Sequence, residues 1–219
     1  MYLLHRWLAG TWNVESVLVD VLAPCGIQLF GGNVTMAAAK KEIGPSAALL
    51  YEARFSPTSN ARAIADREYN VKSIAKVALG PNSVVDVSLA TPNKFSCLLS
   101  PQGSPTMMTV DLIVLNRLEE NVDETHFDCA EVVREIVSPV GKGSQRKGSP
   151  LLKEIETCSL YSAVVPKDGG PVIEVKCRQR SASFLLPSQQ DPIAMKMFEY
   201  SRGRPIDVRF YDVVYKKRQ

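Results

Sequence analysis

Residues 7–22 read WLAGTWNVESVLVDVL and carry the strongest indication of the fold. Residues 11–22 are rich in valine, and Val17, Val19 and Val21 recur at every second position, which is the period of a β-strand. Gly10 allows a close approach of the backbone where the chain enters this strand. Trp12 is large enough to fill the closed end of a barrel of about eight to ten strands. We therefore predict that this stretch is the first strand of a barrel and that Trp12 closes one end.

Further runs rich in Val, Ile, Thr, Tyr and Phe follow along the chain, bounded by turn residues. Together with the first strand, these runs occupy residues 11–22, 48–55, 62–70, 83–90, 94–100, 107–118, 125–137, 151–165, 172–186 and 205–217. So many strand-like runs beside few helical patterns are typical of an all-β sandwich or barrel. We predict a single antiparallel barrel of about 8–10 strands with short helices in its loops.

Three short helices are predicted between the strands. Residues 33–43 and 70–79 combine helical spacing of apolar residues with a Gly-Pro pair that stops the helix. Asp191 is the predicted N-cap of the third helix, because Pro192 follows at the first helical position, where proline is favoured.

The chain is predicted to form one domain over residues 1–219, with residues 1–9 as an N-terminal lead-in. Residues 140–152 are rich in Gly and Ser and carry Lys142, Arg146 and Lys147, a composition that predicts a mobile basic loop. Strand-like runs of the same character lie on both sides, so this loop is not expected to divide domains.

Composition excludes several classes of function. The chain has 26 Lys and Arg against 23 Asp and Glu, a net charge of +3. Such a small surplus does not predict a nucleic-acid-binding protein. No apolar run approaches the roughly 20 residues of a transmembrane helix. Because Met1 lies close to the first strand, we expect any targeting peptide to be absent or already trimmed.

The cysteines and histidines are not spaced as metal ligands. No two of the five cysteines lie within four residues of each other, so the C-x-x-C spacing of zinc and thioredoxin-like sites is missing. His5 and His126 have no partner at ligand spacing, which argues against a zinc site or a His-based triad. We predict no metal site and no catalytic residue, and the sequence identifies no cofactor.

The Gly-x-Trp pattern of Gly10 and Trp12 resembles the first strand of lipocalins. In lipocalins an arginine of the last strand packs over this tryptophan, and Arg209 has the matching place in the segment DVRFY at residues 207–211. The resemblance therefore implies that Arg209 forms a cation–π contact with Trp12 and that the two side chains close the barrel.

Longer phrases are similar to an uncharacterised lipocalin-like, calycin-type family of cyanobacteria and plant chloroplasts. They are LAGTW at 8–12, LVDV at 18–21, YEARF at 51–55, ADR at 65–67, EIET at 154–157 and SQQDP at 188–192. The likeness spans roughly residues 7–215. It implies a lipocalin-like barrel and a chloroplast location in the thylakoid lumen, and it implies no established activity.

Charged residues concentrate on several predicted strands: Arg54, Asp66, Arg67, Glu154, Glu156, Arg178 and Arg180. Strand alternation places Glu154 and Glu156 on one face, and Arg178 and Arg180 on one face of the next strand. If these strands pair, acids and arginines form a ladder on the outer wall. In the alternative, the arginines point inward and bind a ligand carboxylate or phosphate through the guanidinium fork.

Apolar side chains of the same strands are suited to line a lipophilic pocket, although a barrel of this size also fills with side chains. The two outcomes are equally compatible with the sequence. The predicted ligand-binding residues are Arg54, Arg67, Tyr161, Arg178 and Arg180.

Three functions follow from these observations. The first, which we favour, is a non-enzymatic binding or chaperone-like protein for a hydrophobic plastid molecule such as a tetrapyrrole, carotenoid or lipid. The second is an enzyme such as a chromophore lyase or isomerase, with Glu154 and Glu156 as acid and base. The third is an assembly factor with a filled barrel, which docks a photosynthetic partner through the acidic strand at residues 117–135 and the basic loop.

Overall fold

The structure is a computed structural model that describes residues 4–60, 62–103, 106–140, 150–188 and 191–218. Its ten strands form one antiparallel sheet, as predicted. They are β1 (Gly10–Leu22), β2 (Leu49–Pro57), β3 (Ala63–Ala65), β4 (Val84–Thr91), β5 (Lys94–Leu99), β6 (Met107–Asn121), β7 (His126–Val140), β8 (Leu151–Val164), β9 (Glu174–Leu185) and β10 (Asp207–Lys217). The helices are α1 (Ile27–Phe30), α2 (Gly32–Lys41), α3 (Arg67–Leu79) and α4 (Pro192–Ser201), with short 3₁₀ turns at Arg6–Leu8 and Pro45–Ala47.

The sheet curls into a half-barrel in the order β3-β2-β1-β10-β9-β8-β7-β6-β5-β4. The last strand, β10, therefore returns to pair with the first, β1, and the two are the third and fourth strands in the sheet order. The two edge strands, β3 and β4, are not paired with each other. Most of the predicted basic loop, including Lys142, Arg146 and Lys147, lies outside the described residues.

Each strand has a core face and an outer face because successive side chains of a strand point to opposite sides. The core face is the one that carries Trp12 and Val14 of β1, both buried. A β-bulge between Leu18 and Asp20 inserts one extra residue, Val19, into β1. Beyond the bulge, Val21 returns to the core face and is buried.

Apolar side chains fill one end of the curled sheet. Trp12, Phe127 and Leu8 are completely buried there. The indole Nε1 of Trp12 donates a hydrogen bond to the Leu8 carbonyl at 2.6 Å, so the N-terminal lead-in is held beneath the sheet. The ring of Tyr215 packs edge-on against Trp12 at 6.5 Å between centroids. This end of the half-barrel is therefore a packed core.

The cation over Trp12 is Lys217, and the predicted contact with Arg209 is wrong. The β1–β10 register places Trp12 opposite Lys217 and Val21 opposite Arg209, at the other end of the strand. The Lys217 Nζ lies 4.7 Å from the Trp12 ring centroid and donates a hydrogen bond to the Ala9 carbonyl. A side chain at Gly10 would put its Cβ 2.9 Å from the Lys217 Nζ, so the glycine makes this approach possible.

Helices α1 and α2 cover the other end of β1. Phe30, Met36 and Ala39 pack there against Leu18 and Val21 in a second buried cluster. The predicted helix at residues 33–43 thus corresponds to α2 and serves as a cover for the core face.

Helix α3 closes the gap between the two edges of the sheet. The Asn70 side chain accepts a hydrogen bond from the Arg54 N–H at 2.7 Å and donates one to the Arg54 carbonyl at 3.1 Å. The Ser73 hydroxyl accepts from the N–H of Glu52 at 2.9 Å. Side chains of α3 therefore satisfy the backbone of β2 where a neighbouring strand would otherwise do so.

The predicted strand at residues 62–70 is only partly correct. Its first residues form β3, but the chain then enters α3, because the Asp66 side chain caps this helix by accepting from the Tyr69 N–H at 3.1 Å. Arg67 consequently lies on a helix. The predicted cap at Asp191 is confirmed, since its carboxylate accepts from Ile193 N–H at 2.9 Å and Ala194 N–H at 3.1 Å.

Within the described part of the chain, every helix is too short or too polar to cross a membrane.

Replacement of Trp12 by Phe is expected to lower the free energy of unfolding by about 2 kcal/mol, because a buried hydrogen bond and ring volume are lost. The matched control is Trp7→Phe, since the Trp7 side chain is only partly buried and its indole donates to the Glu124 carbonyl at 3.3 Å. The control is expected to cost less, about 1 kcal/mol. Urea unfolding followed by far-UV circular dichroism measures both variants, and equal losses would contradict the central role of Trp12.

Candidate functional site

Two adjoining cavities form a groove on the outer face of β8, β9 and β10. Their volumes are about 600 and 810 Å³, and both are lined by Leu160, Arg178 and Asp212. The smaller cavity is otherwise lined by Val19, Asp20, Cys158, Gln179, Arg180, Phe210 and Tyr211. We call the combined cavity the arginine groove.

Strand register brings the groove residues together. Leu160, Arg178 and Asp212 lie directly opposite one another on β8, β9 and β10. Cys158, Arg180 and Phe210 form the next row. Directly opposed residues of an antiparallel pair point to the same face, so both rows belong to one surface.

The smaller cavity has an apolar floor beside its cations. Leu160 is 51% exposed, which is high for a leucine near the middle of a sheet. Val19, the residue that the β1 bulge adds, is 42% exposed at the rim. Exposed apolar side chains next to guanidinium groups suit a ligand that is itself amphipathic.

The two arginines of the groove differ in their partners. Arg180 Nη1 donates to the Glu156 Oε1 at 2.5 Å. Arg178 is exposed, and among the described residues it forms no ion pair, although Asp212 lies opposite it in the register. Its planar guanidinium group can therefore donate hydrogen bonds to the carboxylate or phosphate of a ligand without displacing an internal partner.

The larger cavity carries groups of both charges, including Lys176, Asp128 and His126. The His126 Nδ1 lies 2.9 Å from an Asp123 carboxylate oxygen. The N–H and the hydroxyl of Thr125 also donate hydrogen bonds to the Asp123 carboxylate. These two bonds have the largest effect in holding the pKa of Asp123 well below its usual range, and the bond to His126 adds to it. These polar groups stand among apolar lining residues such as Val122 and Val214, so this part of the groove also combines apolar and charged side chains.

Arg178 and Arg180 lie together on the outer face, which agrees with the predicted outer-wall ladder and excludes the alternative in which they point inward. Their neighbours Cys177 and Gln179 occupy the core-face positions of β9. The ladder is present: Arg180 pairs with Glu156, and Glu154 accepts from Arg134 Nη2 at 2.6 Å. Glu154 thus pairs with an arginine of β7, whereas the sequence predicted a partner on β9, the neighbour on the other side of β8.

Of the other predicted ligand residues, Tyr161 contributes to the lining of the larger cavity, whereas Arg54 and Arg67 lie elsewhere, so the five do not form one site. Arg54 is on the outer face of β2, where its guanidinium stacks 3.8 Å from the Tyr69 ring centroid and lies 3.4 Å from the Asp66 carboxylate. Tyr161 is buried in the packed core at the Trp12 end. Arg67 reaches the core face from α3.

An ion-pair network on the core face was not predicted. Glu131 of β7 accepts from Arg67 Nη2 at 2.6 Å and from Arg117 Nε at 2.7 Å. Arg117 Nη1 also donates to the Asn93 side-chain oxygen at 2.8 Å. The sequence did contain a signal, because Glu131 continues the alternation of the buried residues Phe127 and Cys129.

The proposed acid–base pair receives no support from the geometry. Glu154 and Glu156 are held by Arg134 and Arg180, respectively, on the outer face. Over the residues that the structure describes, no three His, Cys, Asp or Glu side chains converge as metal ligands.

Tyr161 belongs to a buried set of phenols. Its ring lies 6.0 Å from that of Tyr215, whose hydroxyl interacts with both Tyr161 and Tyr51. Burial raises the pKa of Tyr51 to about 12 and raises that of Tyr215 well above its ordinary value. The Tyr51 and Tyr215 hydroxyls therefore act as neutral hydrogen-bonding groups of the core.

Sequence reasoning missed Leu160, Val19 and Asp212 as groove residues. Leu160 lies between Ser159 and Tyr161 in β8, and successive residues of a strand point to opposite faces. Once Tyr161 is assigned to the core face, Leu160 is therefore an apolar residue on the outer face. Val19 reaches the groove through the bulge, and no residue type in β1 signals that irregularity.

Comparisons with known proteins identify a family whose function is unknown. The family model described as "Domain of unknown function (DUF6816)" matches residues 5–219. Neither a curated protein nor a solved structure matches the chain.

Stability is expected to fall as the pH rises above about 10, because the raised pKa of Tyr51, about 12, keeps this phenol protonated only in the folded state. The unfolded chain then binds fewer protons than the folded one, so alkaline conditions favour unfolding. Tyr51→Phe should reduce the decline that urea unfolding measures between pH 9 and about 11.5. Tyr200→Phe, at an exposed ring, is the control. Equal slopes for the two variants would refute this assignment.

Proposed function

The chain belongs to the DUF6816 family, whose description states no activity, and we propose that it is a non-enzymatic protein that binds an amphipathic anion in the arginine groove. The anion has an apolar body and a carboxylate or phosphate group. Arg178 binds the anionic group, Arg180 borders it, and Leu160 contacts the apolar body.

The observation that carries the proposal is the position of Arg178. This cation lies at the junction of the two cavities, beside the exposed side chain of Leu160 and without an ion-pair partner among the described residues. A guanidinium can make two parallel hydrogen bonds to a carboxylate, which fixes the orientation of the ligand. Burial of the ligand's apolar part against Leu160 and Phe210 adds a favourable hydrophobic contribution.

The size of the groove agrees with a small ligand. Its two cavities, of about 600 and 810 Å³, each fall within the range of about 300–1,000 Å³ that small-molecule sites occupy. The groove is open along the sheet, so an elongated molecule fits it better than a compact one. The larger cavity provides Lys176 and His126 for further polar groups of the ligand.

The resemblance to lipocalin-like plastid and cyanobacterial proteins is the reason to propose a plastid molecule. Within that setting, a tetrapyrrole or a lipid carries the acidic group that Arg178 requires, whereas a carotene hydrocarbon does not. The chloroplast, with the thylakoid lumen as the compartment, is the proposed location on the same ground.

Replacement of Arg178 by Gln is expected to weaken binding of cis-parinaric acid, a fluorescent long-chain carboxylate, by about tenfold or more, since a charge-assisted hydrogen bond is lost. The fluorescence rise of the probe on titration with protein gives the Kd. The methyl ester of the same probe should bind the wild-type protein as weakly as the acid binds the variant.

Arg134→Gln is the matched control, because Arg134 is also an outer-face arginine of the sheet but pairs with Glu154 and lines neither cavity. It should leave the Kd unchanged. Unaltered binding to the Arg178→Gln variant, or equal binding of acid and ester, would refute the proposed site.

A second candidate function is docking of a protein partner, as an assembly factor. The observation in its favour is the outer side of the acidic strand, where Leu118 is 69% exposed between the acids of β6 and β7. Glu120 and Asp128 lie opposite each other in the next row. In native extracts of the source cells, Leu118→Lys should then release the protein from a larger complex while the binding of cis-parinaric acid is retained. Release by Arg178→Gln instead would favour a single ligand-dependent site.

A further inference from the structure

We call the gap between β2 and β4 the seam. Strand β3 covers only the end of β2, so the rest of the seam is occupied by helix α3 and not by a paired strand. Both edges of the sheet end there without pairing to each other, and α3 contacts β2 on one side and β4 on the other. The seam therefore depends on the side chains of α3.

Polar side chains provide most of the attachment to β2. Asn70 and Ser73 bind the β2 backbone, and the Tyr69 hydroxyl donates to the Glu52 carboxylate. Each of these links can be exchanged for a hydrogen bond to water when the helix moves away, so each contributes little net free energy.

Apolar burial under α3 is small. Ala75 is its one buried residue, and Val71 is partly buried against the cluster of Val87, Phe95 and Cys97. A cavity of about 710 Å³ separates the outer face of the sheet from α3, lined by Val77 on the helix side. Few apolar contacts and space beside a helix are the features of a segment that opens at low free energy.

The strongest connection of α3 to the far side of the half-barrel is ionic. Arg67, at the first turn of α3, makes two hydrogen bonds to Glu131 of β7, at 2.6 and 3.3 Å. Arg117 of β6 holds the same carboxylate at 2.7 Å. The side chains of Arg67 and Glu131 are only 19% and 18% exposed, so this pair is less screened than a surface salt bridge.

The ends of β1 offer no comparable opening. Leu4, Leu8 and Trp12 fill one end, and Phe30 and Met36 cover the other. We propose that α3 opens as a unit while the ten strands stay paired, and that this movement gives access from the side to the interior around Phe95 and Cys97. The Arg67–Glu131 pair is the latch that holds α3 closed.

Two buried thiols make the movement measurable in the unmodified chain. Cys97, under α3, is 2% exposed, and Cys177, in the packed core at the Trp12 end, is 4% exposed. Both thiols must become exposed before they react with iodoacetamide. Peptide-resolved mass spectrometry after timed labelling gives the rate for each cysteine in the same sample.

If α3 opens locally, Cys97 is expected to be labelled at least about tenfold faster than Cys177, because only Cys177 then requires global unfolding. Glu131→Gln removes the latch and should accelerate labelling of Cys97 by about a further tenfold relative to Cys177. The matched control is Glu135→Gln, since Glu135 is also a β7 core-face acid, 16% exposed, but pairs with Lys153 of β8 at 2.9 Å and not with a residue of α3. The control should leave the ratio of the two rates unchanged.

Three results would overturn the proposal. The first is equal labelling of Cys97 and Cys177 in the wild-type protein, which indicates that both thiols are exposed by global unfolding alone. The second is equal acceleration of both cysteines by Glu131→Gln, which indicates a general loss of stability. The third is rapid labelling of Cys97 at the same rate in the Glu131→Gln and Glu135→Gln variants, which would show that the Arg67–Glu131 pair does not hold α3 closed.

Discussion

Pairing between β1 and β10 is the constraint on which the rest of the structure depends. It joins the first and last strands inside the sheet, with β2 and β3 on one side and the other six strands on the other, and so sets the position of both groups. The register of this pair brings Lys217 over the Trp12 ring and Tyr215 beside it. The packed end of the half-barrel, and the attachment of the lead-in through Leu8, follow from that register.

The same strands serve two surfaces because the side-chain period of a strand is two. In β9, Cys177 belongs to the packed core while Arg178 lies in the groove. In β8, Tyr161 and Leu160 divide in the same way. The groove is therefore built on a rigid support, since the backbone beneath it is fixed by apolar packing on the opposite face. A ligand there would need little ordering of the protein when it binds.

Local patterns in the sequence were sufficient for the strands, for their antiparallel arrangement and for the cap at Asp191. They were insufficient for contacts that depend on which residues lie opposite each other in neighbouring strands, or on which face of a strand is buried. Arg209 and Lys217 both lie on the core face of β10, and only the register selects Lys217 for Trp12. The sequence left both an outward and an inward orientation open for Arg178, because β9 carries apolar and polar residues on both faces and alternation alone does not tell which face is buried. Arg67 was assigned to a strand because the capping carboxylate before it was read as part of that strand.

The position of β1 in the sheet has a consequence for synthesis of the chain. One flank of β1 pairs with β2, which follows soon after it, but the other flank pairs only with β10. On the ribosome, that flank stays unpaired until nearly the whole domain has emerged. Contacts between strands so distant in sequence slow folding, and an unpaired strand edge promotes aggregation. The nascent domain thus carries an exposed strand edge through most of its translation, until β10 pairs with it.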